Sequence, residues 1–294
     1  MSAGRLLPIS VSIIVRDEER DLPGAVESVP FAKEIVVVDS GSVDRTREVA
    51  RLLDRPERPV LLFERAWTGH VDQKNFALEQ AREEWILCLD ADERVGSALR
   101  SEIDRLFADG RGAAGPRADG YTVGRRTFYL GRWMDGNGWY PDRKLRLVRR
   151  GRARWRGTDP HDRLEVDGAV ERLEGDLDHL SYRDLSDHLR KLDLFTDISA
   201  RGKLGRPPRW PALRMLVHPP ARFIKMYLLR RGWRDGVPGV IAAGMGALYA
   251  FLKYAKLWER LQEERRLRGA ASRAAKSARA GAGAGRPSRP EGTG

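Results

Sequence analysis

The chain has 294 residues, 41% hydrophobic and 33% charged, enough to bury one large core with a smaller annex. Its single cysteine, Cys88, excludes a disulfide framework and a cysteine-based zinc site and fits a reducing, cytosolic setting. A net charge of +12 calls for an anionic partner: nucleic acid, a phosphorylated ligand or an anionic membrane.

The first hundred residues alternate between strand-like and helix-like patterns. Strands are expected at "ISVSIIV" (9–15), "EIVVVD" (34–39), "PVLLF" (59–63) and "WILCLD" (85–90). Helical patterns occupy 21–29, 43–53, 71–84 and 97–108, with Ser42 or Asp44 available to cap the second and Asp72 the third. The strands are continuous apolar runs, as expected where helices cover both faces of a sheet. The order is that of a doubly wound α/β sheet. A Gly/Ala/Pro loop, "ADGRGAAGPRADG" (108–120), breaks the pattern, and "GYTVGRRTFYL" and "KLRLVRR" resume it as strands.

Residues 186–200 form an amphipathic helical pattern. Between Ala200 and Asp235 there are ten Lys or Arg and a single acid, interleaved with aromatics. Such a run suits a nucleic-acid surface, a membrane interface or a solvated helical annex. The 17 uncharged residues that follow, Gly236 to Leu252, favour the membrane interface, since a nucleic-acid site gains nothing from them. With Pro238 and four glycines this stretch suits an interfacial or re-entrant helix at least as well as a span. The tail is low in complexity and expected to be disordered. Residues 1–8 lack the apolar core of a secretory signal, so a cytoplasmic location is expected.

Ligands of open α/β sheets bind beyond the carboxyl ends of the strands. Asp39 ends the second strand and Asp90 the fourth, which should bring both to one edge. The Gly-x-Gly-x-x-Gly turn of dinucleotide folds is missing, and the acidic "VRDEERDL" stands in its place. Such an edge suits a ribose hydroxyl, a base N–H or a divalent cation. Asp90, Asp92 and Glu93 crowd within four positions, which implies either a solvated turn or a bound cation to offset their repulsion. Oxygen ligands favour Mg²⁺ or Mn²⁺.

"VSIIVRDEERDL", "IVVVDSGSVDRT", "WTGHVDQKNFAL" and "WILCLDADERV" together resemble family 2 glycosyltransferases of the GT-A fold, in particular the bacterial lipopolysaccharide-core enzymes. The resemblance continues through "YPDRKLRLVRRG", "HDRLEVDG", "LDHLSYRDLSDHLRKL" and "RRGWRDGVPGVIAA", covering residues 10–258 in order. It implies an α/β fold with a GT-A, Rossmann-like mixed sheet flanked by helices, followed by a basic, amphipathic helical extension. Residues 1–185 would be catalytic, with a nucleotide-sugar half at 8–110 and an acceptor half at 117–185. Residues 186–262 would meet the membrane, and 263–294 would be a disordered basic tail.

The resemblance also assigns roles. Asp39 and Asp90 would hold the nucleoside, and Lys74 and Arg146 would lie near the diphosphate or an anionic acceptor. Asp92 and His179 would ligate a divalent cation, Mn²⁺ or Mg²⁺. The family's His-Glu motif reads His161-Asp162 here, making Asp162 the candidate general base and Glu165 the fallback. A second departure is Asp17-Glu18-Glu19, where the family has Asn-Glu-Glu. The implied activity is inverting transfer of a sugar from a nucleoside-diphosphate-sugar to a hydroxyl of a cell-envelope glycolipid. Its expected place is the inner face of the cytoplasmic membrane, without nucleic acid as partner.

Overall fold

The computed structural model describes residues 5–108, 116–158, 161–205 and 208–283. Four parallel strands form the first half of the sheet: β1 (Leu7–Val15), β2 (Ala32–Asp39), β3 (Val60–Glu64) and β4 (Trp85–Asp90). Between and after them lie α1 (Leu22–Glu27), α2 (Thr46–Leu52), α3 (His70–Gln80), the short strand β5 (Glu93–Val95) and α4 (Ser97–Ala108). The second half adds β6 (Gly120–Tyr129), β7 (Arg132–Trp133), β8 (Asp142–Arg149) and β11 (Val170–His179), with β9 (Ala153–Thr158) and β10 (His161–Val166) as a separate hairpin. The sheet order is β3-β2-β1-β4-β8-β6-β11-β5, with β8 antiparallel to both neighbours. This is the expected mixed sheet flanked by helices. The Gly/Ala/Pro loop expected at 108–120 lies largely outside the described residues.

Strand periodicity explains the two covered faces. Ile9, Val11, Ile13 and Val15 of β1 join Leu22, Val26, Leu99 and Ile103 in the largest core cluster. On the opposite face Val36 and Val38 pack with Ala77 of α3 and the partly buried Ile14. α3 ends at Gln80 rather than at the 84 its sequence pattern suggests. The buried Glu34 carboxylate accepts the Arg82 amide at 2.7 Å and the Ser10 hydroxyl at 2.6 Å, and Ser10 Oγ accepts the Glu83 amide at 3.0 Å. Those two amides are thus satisfied outside a helix, which stops the helix there. The expected caps also differ. Gly69 occupies the cap of α3, while Asp72 lies inside its first turn and pairs with Arg65 at 2.7 Å. Arg45 occupies the cap of α2 without a side-chain bond, and Asp44 accepts the Thr46 amide at 2.9 Å.

The chain leaves the sheet through α5 (Leu185–Arg201), α6 (Pro211–Ile224), a π-helical turn at Lys225–Leu229, a 3₁₀ turn at Gly232–Asp235 and α7 (Gly236–Gly283). Lys256 and Arg260 of α7 pair with Asp193 and Asp197 of α5. Ala200, Tyr254 and Leu257 form the small core beneath those pairs. Residues 263–283 are helical where the sequence suggests a disordered tail; their Ala, Arg, Glu and Leu are strong helix formers. The remainder of that tail lies outside the described residues.

Two buried groups fasten the extension to the sheet. The Asp235 carboxylate accepts the amides of Asp135 at 3.0 Å and Gly136 at 2.8 Å. His188 of α5 stacks on Tyr182, with ring centroids 4.0 Å apart, and shares a 2.7 Å hydrogen bond with the Tyr129 hydroxyl. Burial pushes the His188 imidazole down from 6.5 to about 4, so it stays neutral.

Two outcomes follow from these fastenings. Asp235→Ala strands the buried amide of Gly136 and the part-buried one of Asp135, and should lower unfolding stability by roughly 1–3 kcal/mol in urea titrations. His188 cannot take up a proton in the folded protein until pH falls to about 4, whereas the unfolded chain does so near 6.5. Its contribution is therefore full above pH 6.5 and fades toward pH 4. Between pH 7 and pH 5 the parent should lose about 2 kcal/mol more stability than His188→Gln.

Candidate active site

Parallel registry sets the geometry. Val15 of β1 pairs with Asp39 of β2, and Ile14 with Asp90 of β4, so both acids stand at the carboxyl edge on either side of β1. Asp39 is buried, and its carboxylate accepts the amides of Gly41 and Ser42, each at 3.1 Å. Ser42 Oγ accepts the Asp17 amide at 2.9 Å, and Asp17 in return accepts the Val43 amide at 2.8 Å. Asp17 has φ 58°, a left-handed conformation that Asp and Asn tolerate better than other side chains. The two loops following β1 and β2 are thereby tied together, and Asp17 bonds across to the second loop rather than to its own backbone.

Asp90 is the centre of a chain of alternating charges. Its two oxygens receive Lys74 Nζ at 3.2 Å and an Arg146 terminal nitrogen at 2.8 Å. Lys74 also donates to Asp162 at 2.9 Å, and its ammonium lies 4.3 Å from the centre of the Trp155 ring. Arg146, only 3% exposed, reaches Glu93 at 2.6 Å as well. Arg125 continues the chain from Glu93 at 3.3 Å to Asp142 at 2.6 Å. Burial alone would raise the Asp90 carboxyl, but Lys74 and Arg146 outweigh it and hold the group well below the usual carboxylate range. By the same pairing, and against their own burial, Lys74 and Arg146 are held above their ordinary values.

Local structure places each member. α3 carries Lys74 on the face that meets β9, where Asn75 clamps the hairpin: its amide donates to the Trp155 carbonyl at 3.0 Å, and its oxygen accepts the Trp155 amide at 2.8 Å. On β10, Asp162 shares a face with the buried Leu164. Glu165 points the other way and pairs with Arg163 at 2.6 Å and Arg156 at 3.2 Å. On β8, Arg143 donates to the Leu173 carbonyl and pairs with Glu174, and Lys144 pairs with Asp142. Of the three cations in "PDRKLRL", only Arg146 joins Asp90.

Asp92 turns away from this chain. Its carboxylate lies 3.4 Å from His179 Nε2, while His179 Nδ1 is 3.2 Å from Thr127 Oγ1, which fixes the ring. Against its burial, the hydrogen bond with His179 holds Asp92 below the usual carboxylate range. Glu18, on the turn after β1, responds to the same group: burial, then the nearby Asp92 and Asp21, push it up to about 7. Among the described residues no three His, Cys, Asp or Glu side chains gather closely enough to hold a metal. The carboxylate and oriented imidazole of Asp92 and His179 nevertheless fit two protein ligands of a divalent cation whose remaining ligands are diphosphate or water oxygens.

The sequence singled out Asp39, Lys74, Asp90, Asp92, Arg146, Asp162 and His179. The structure gathers Lys74, Asp90, Arg146 and Asp162 into one ion network, and pairs Asp92 with His179. Asp39 stands at the same edge but is engaged in its own turn. Sequence reasoning missed Glu93 and Arg125, which complete the ion chain, and Glu18. Glu93 lay within the quoted acidic cluster, and Glu18 within the acidic turn that replaces the dinucleotide glycines.

Comparison with known proteins now decides the family. The family model "Glycosyl transferase family 2" matches residues 10–165, a span that contains Asp39, Lys74, Asp90, Asp92, Arg146 and Asp162. The chain is also 33% identical over 258 residues, covering 86% of itself and 93% of its relative, to the lipopolysaccharide core biosynthesis glycosyltransferase LpsC of Rhizobium meliloti (strain 1021). The chain belongs to glycosyltransferase family 2. An uncharacterized glycosyltransferase of Rickettsia typhi is 26% identical over 261 residues, covering 85% of this chain and 87% of that one. Among solved structures, Staphylococcus aureus TarS (residues 1–349) in complex with UDP has 14% identity and a TM-score of 0.46, over 89% of this chain and 92% of that one. The Pyrobaculum calidifontis mannosyltransferase in complex with GDP-Man and Mn²⁺ has 15% identity and a TM-score of 0.44, over 84% and 88%.

For this family member, Arg146→Met should leave the buried Glu93 with Arg125 alone and the part-exposed Asp90 with Lys74 alone. The expected cost is roughly 1.5–3 kcal/mol of unfolding free energy in urea titrations, with Arg146→Lys intermediate.

Proposed function

We propose that this glycosyltransferase moves a sugar from a nucleoside-diphosphate-sugar to a hydroxyl of a cell-envelope glycolipid, by an inverting, metal-assisted displacement at the inner face of the cytoplasmic membrane. The observation that carries this reading is the pairing of Asp92 with an oriented His179 beside the Asp90–Lys74–Asp162 array, at the edge that Asp39 also reaches. A divalent cation held by Asp92 and His179 would neutralise the departing diphosphate. Asp39 and Asp90 would border the nucleoside. Lys74 would meet a phosphate oxygen, and an arriving diphosphate would compete with Asp162 for its ammonium. Asp162, released from that bond, is the carboxylate on the acceptor side that takes the hydroxyl proton. Glu165 serves this role less well, since it faces away and is engaged by two arginines.

The relative LpsC, named for lipopolysaccharide core biosynthesis, supports an envelope glycolipid as acceptor. The surface supports a membrane setting: Leu213, Leu216, Ile224, Leu228, Leu229 and Val237 are exposed among the cations of the extension. By length and composition alone, the helical segment Gly232–Ala271 is apolar enough to cross a bilayer, with 33% of its most apolar window buried. Lying in the interface fits this arrangement, because cations and apolar side chains interleave along α6 and the turns that follow.

The test is thermal stability against a panel of nucleoside diphosphates, with and without Mn²⁺. Ligand at a hundred times its dissociation constant should stabilise the parent by about 2.7 kcal/mol, and Asp92→Ala should remove the Mn²⁺-dependent part. The absence of any nucleotide shift in folded protein would end the donor reading. With the nucleotide identified, Asp162→Asn should keep its shift and lose ~10²–10⁴-fold in kcat. Unchanged turnover in that variant would remove Asp162 from the role of base.

A further inference from the structure

A cavity of 340 Å³ lies between the sheet domain and the helical extension. Its volume falls in the range of small-molecule sites. One wall is aromatic: Trp139, Tyr182 and His188, with Phe195 of α5 at the rim. The other comes from the extension, where Arg222 of α6 and Met226 of the π-helical turn face Met245, Gly246 and Tyr249 of α7. Gly246 explains how the second wall forms. A Cβ there would lie 2.3 Å from Met226 Sδ and 3.5 Å from Arg222 Nε, so the glycine lets the methionine seat directly against α7, and a larger residue would make its flexible side chain shift.

Three features describe what would fit. The lining is largely apolar, and its imidazole is uncharged, since burial holds His188 at about 4. Its one fixed charge, Arg222, is exposed and sits 5.9 Å from the Tyr249 ring centre, so it marks the mouth and not the floor. The cavity also joins two regions already described. Tyr182 follows His179 by three residues, and the intervening Leu180 amide bonds the Asp92 carbonyl at 2.9 Å. Met226 belongs to the same turn that exposes Leu228 and Leu229. An occupant could therefore reach from the apolar surface of the extension toward the sheet edge. A free sugar fits less well, because part of the polar lining is already engaged, His188 Nδ1 with the Tyr129 hydroxyl at 2.7 Å and the Tyr249 hydroxyl with Ser199 Oγ at 2.6 Å.

We propose that this cavity binds the apolar chain of an anionic amphiphile, with its acidic group on Arg222, and so seats the lipid part of the acceptor. The second clause rests on the glycolipid reading above; the binding itself does not.

The test is a fluorescence titration with 11-(dansylamino)undecanoic acid, a single-chain anionic probe. The parent should bind one probe per chain. Arg222→Gln should weaken binding about tenfold, as expected for losing one charge-assisted bond. Phe195→Asp should weaken it by more, since a carboxylate then faces both the chain and the probe's own charge; Phe195 is 38% exposed, so the fold should tolerate the change. The methyl ester of the probe should bind the parent and Arg222→Gln alike. Asp92→Ala, outside the cavity, should bind the probe as the parent does. Non-saturable binding, or parental affinity in Phe195→Asp, would overturn the assignment. Loss of saturable probe binding with the nucleotide shift intact would remove the cavity alone. Probe binding without any nucleotide shift would remove the donor reading and leave the cavity standing.

Discussion

The buried guanidinium of Arg146 is the constraint around which the carboxyl edge of the sheet is organised. Glu93 is fully buried and Asp90 only part-exposed, and Arg146 supplies one cation to both carboxylates at once. Because Arg146 comes from β8, the pairing also fastens the second half of the sheet to the parallel half, beyond the β4–β8 ladder that ends at Leu87 and Leu147. Lys74 repeats the arrangement from the other side, joining Asp90 to the hairpin through Asp162. Three elements distant in sequence, α3, β8 and β10, therefore converge on one aspartate.

That convergence divides the carboxylates into two kinds. Asp90 and Glu93 are locked between cations. Asp92 and Glu18, on the far side of the turn, have only an imidazole and distant cations to offset them, and burial pushes Glu18 toward neutrality. The acidic cluster in the sequence thus resolves into Asp90 and Glu93, both in the sheet's ion chain, and Asp92, which the turn after β4 carries to the other side to meet His179.

Much of this was legible from apolar runs and their spacing. The fourth strand and fourth helix fall on the residues the pattern marks, 85–90 and 97–108. Parallel registry then follows from continuous apolar strands, which is why Asp39 and Asp90 reach a common edge. What escaped were interactions between distant residues. Glu34 stops α3 from across the sheet, Arg125 and Arg146 find Glu93 from strands 32 and 53 positions away, and the β9–β10 hairpin depends on Asn75. No local pattern encodes such pairings. The helix beyond residue 263 was hidden for a different reason: alanine-rich, repetitive sequence reads as low complexity even where each residue favours a helix.

The ammonium of Lys74, shared between Asp90 and Asp162, has a kinetic consequence. On the proposed reading, the carboxylate meant to accept the acceptor's proton is occupied in the ligand-free protein and is released only when diphosphate claims the lysine. An acceptor that arrives first meets a quenched base. The sequence of events is then compulsory, donor before acceptor, and water entering an unloaded site finds no activated partner. Substrate order would be written into one hydrogen bond, with no moving lid required to enforce it.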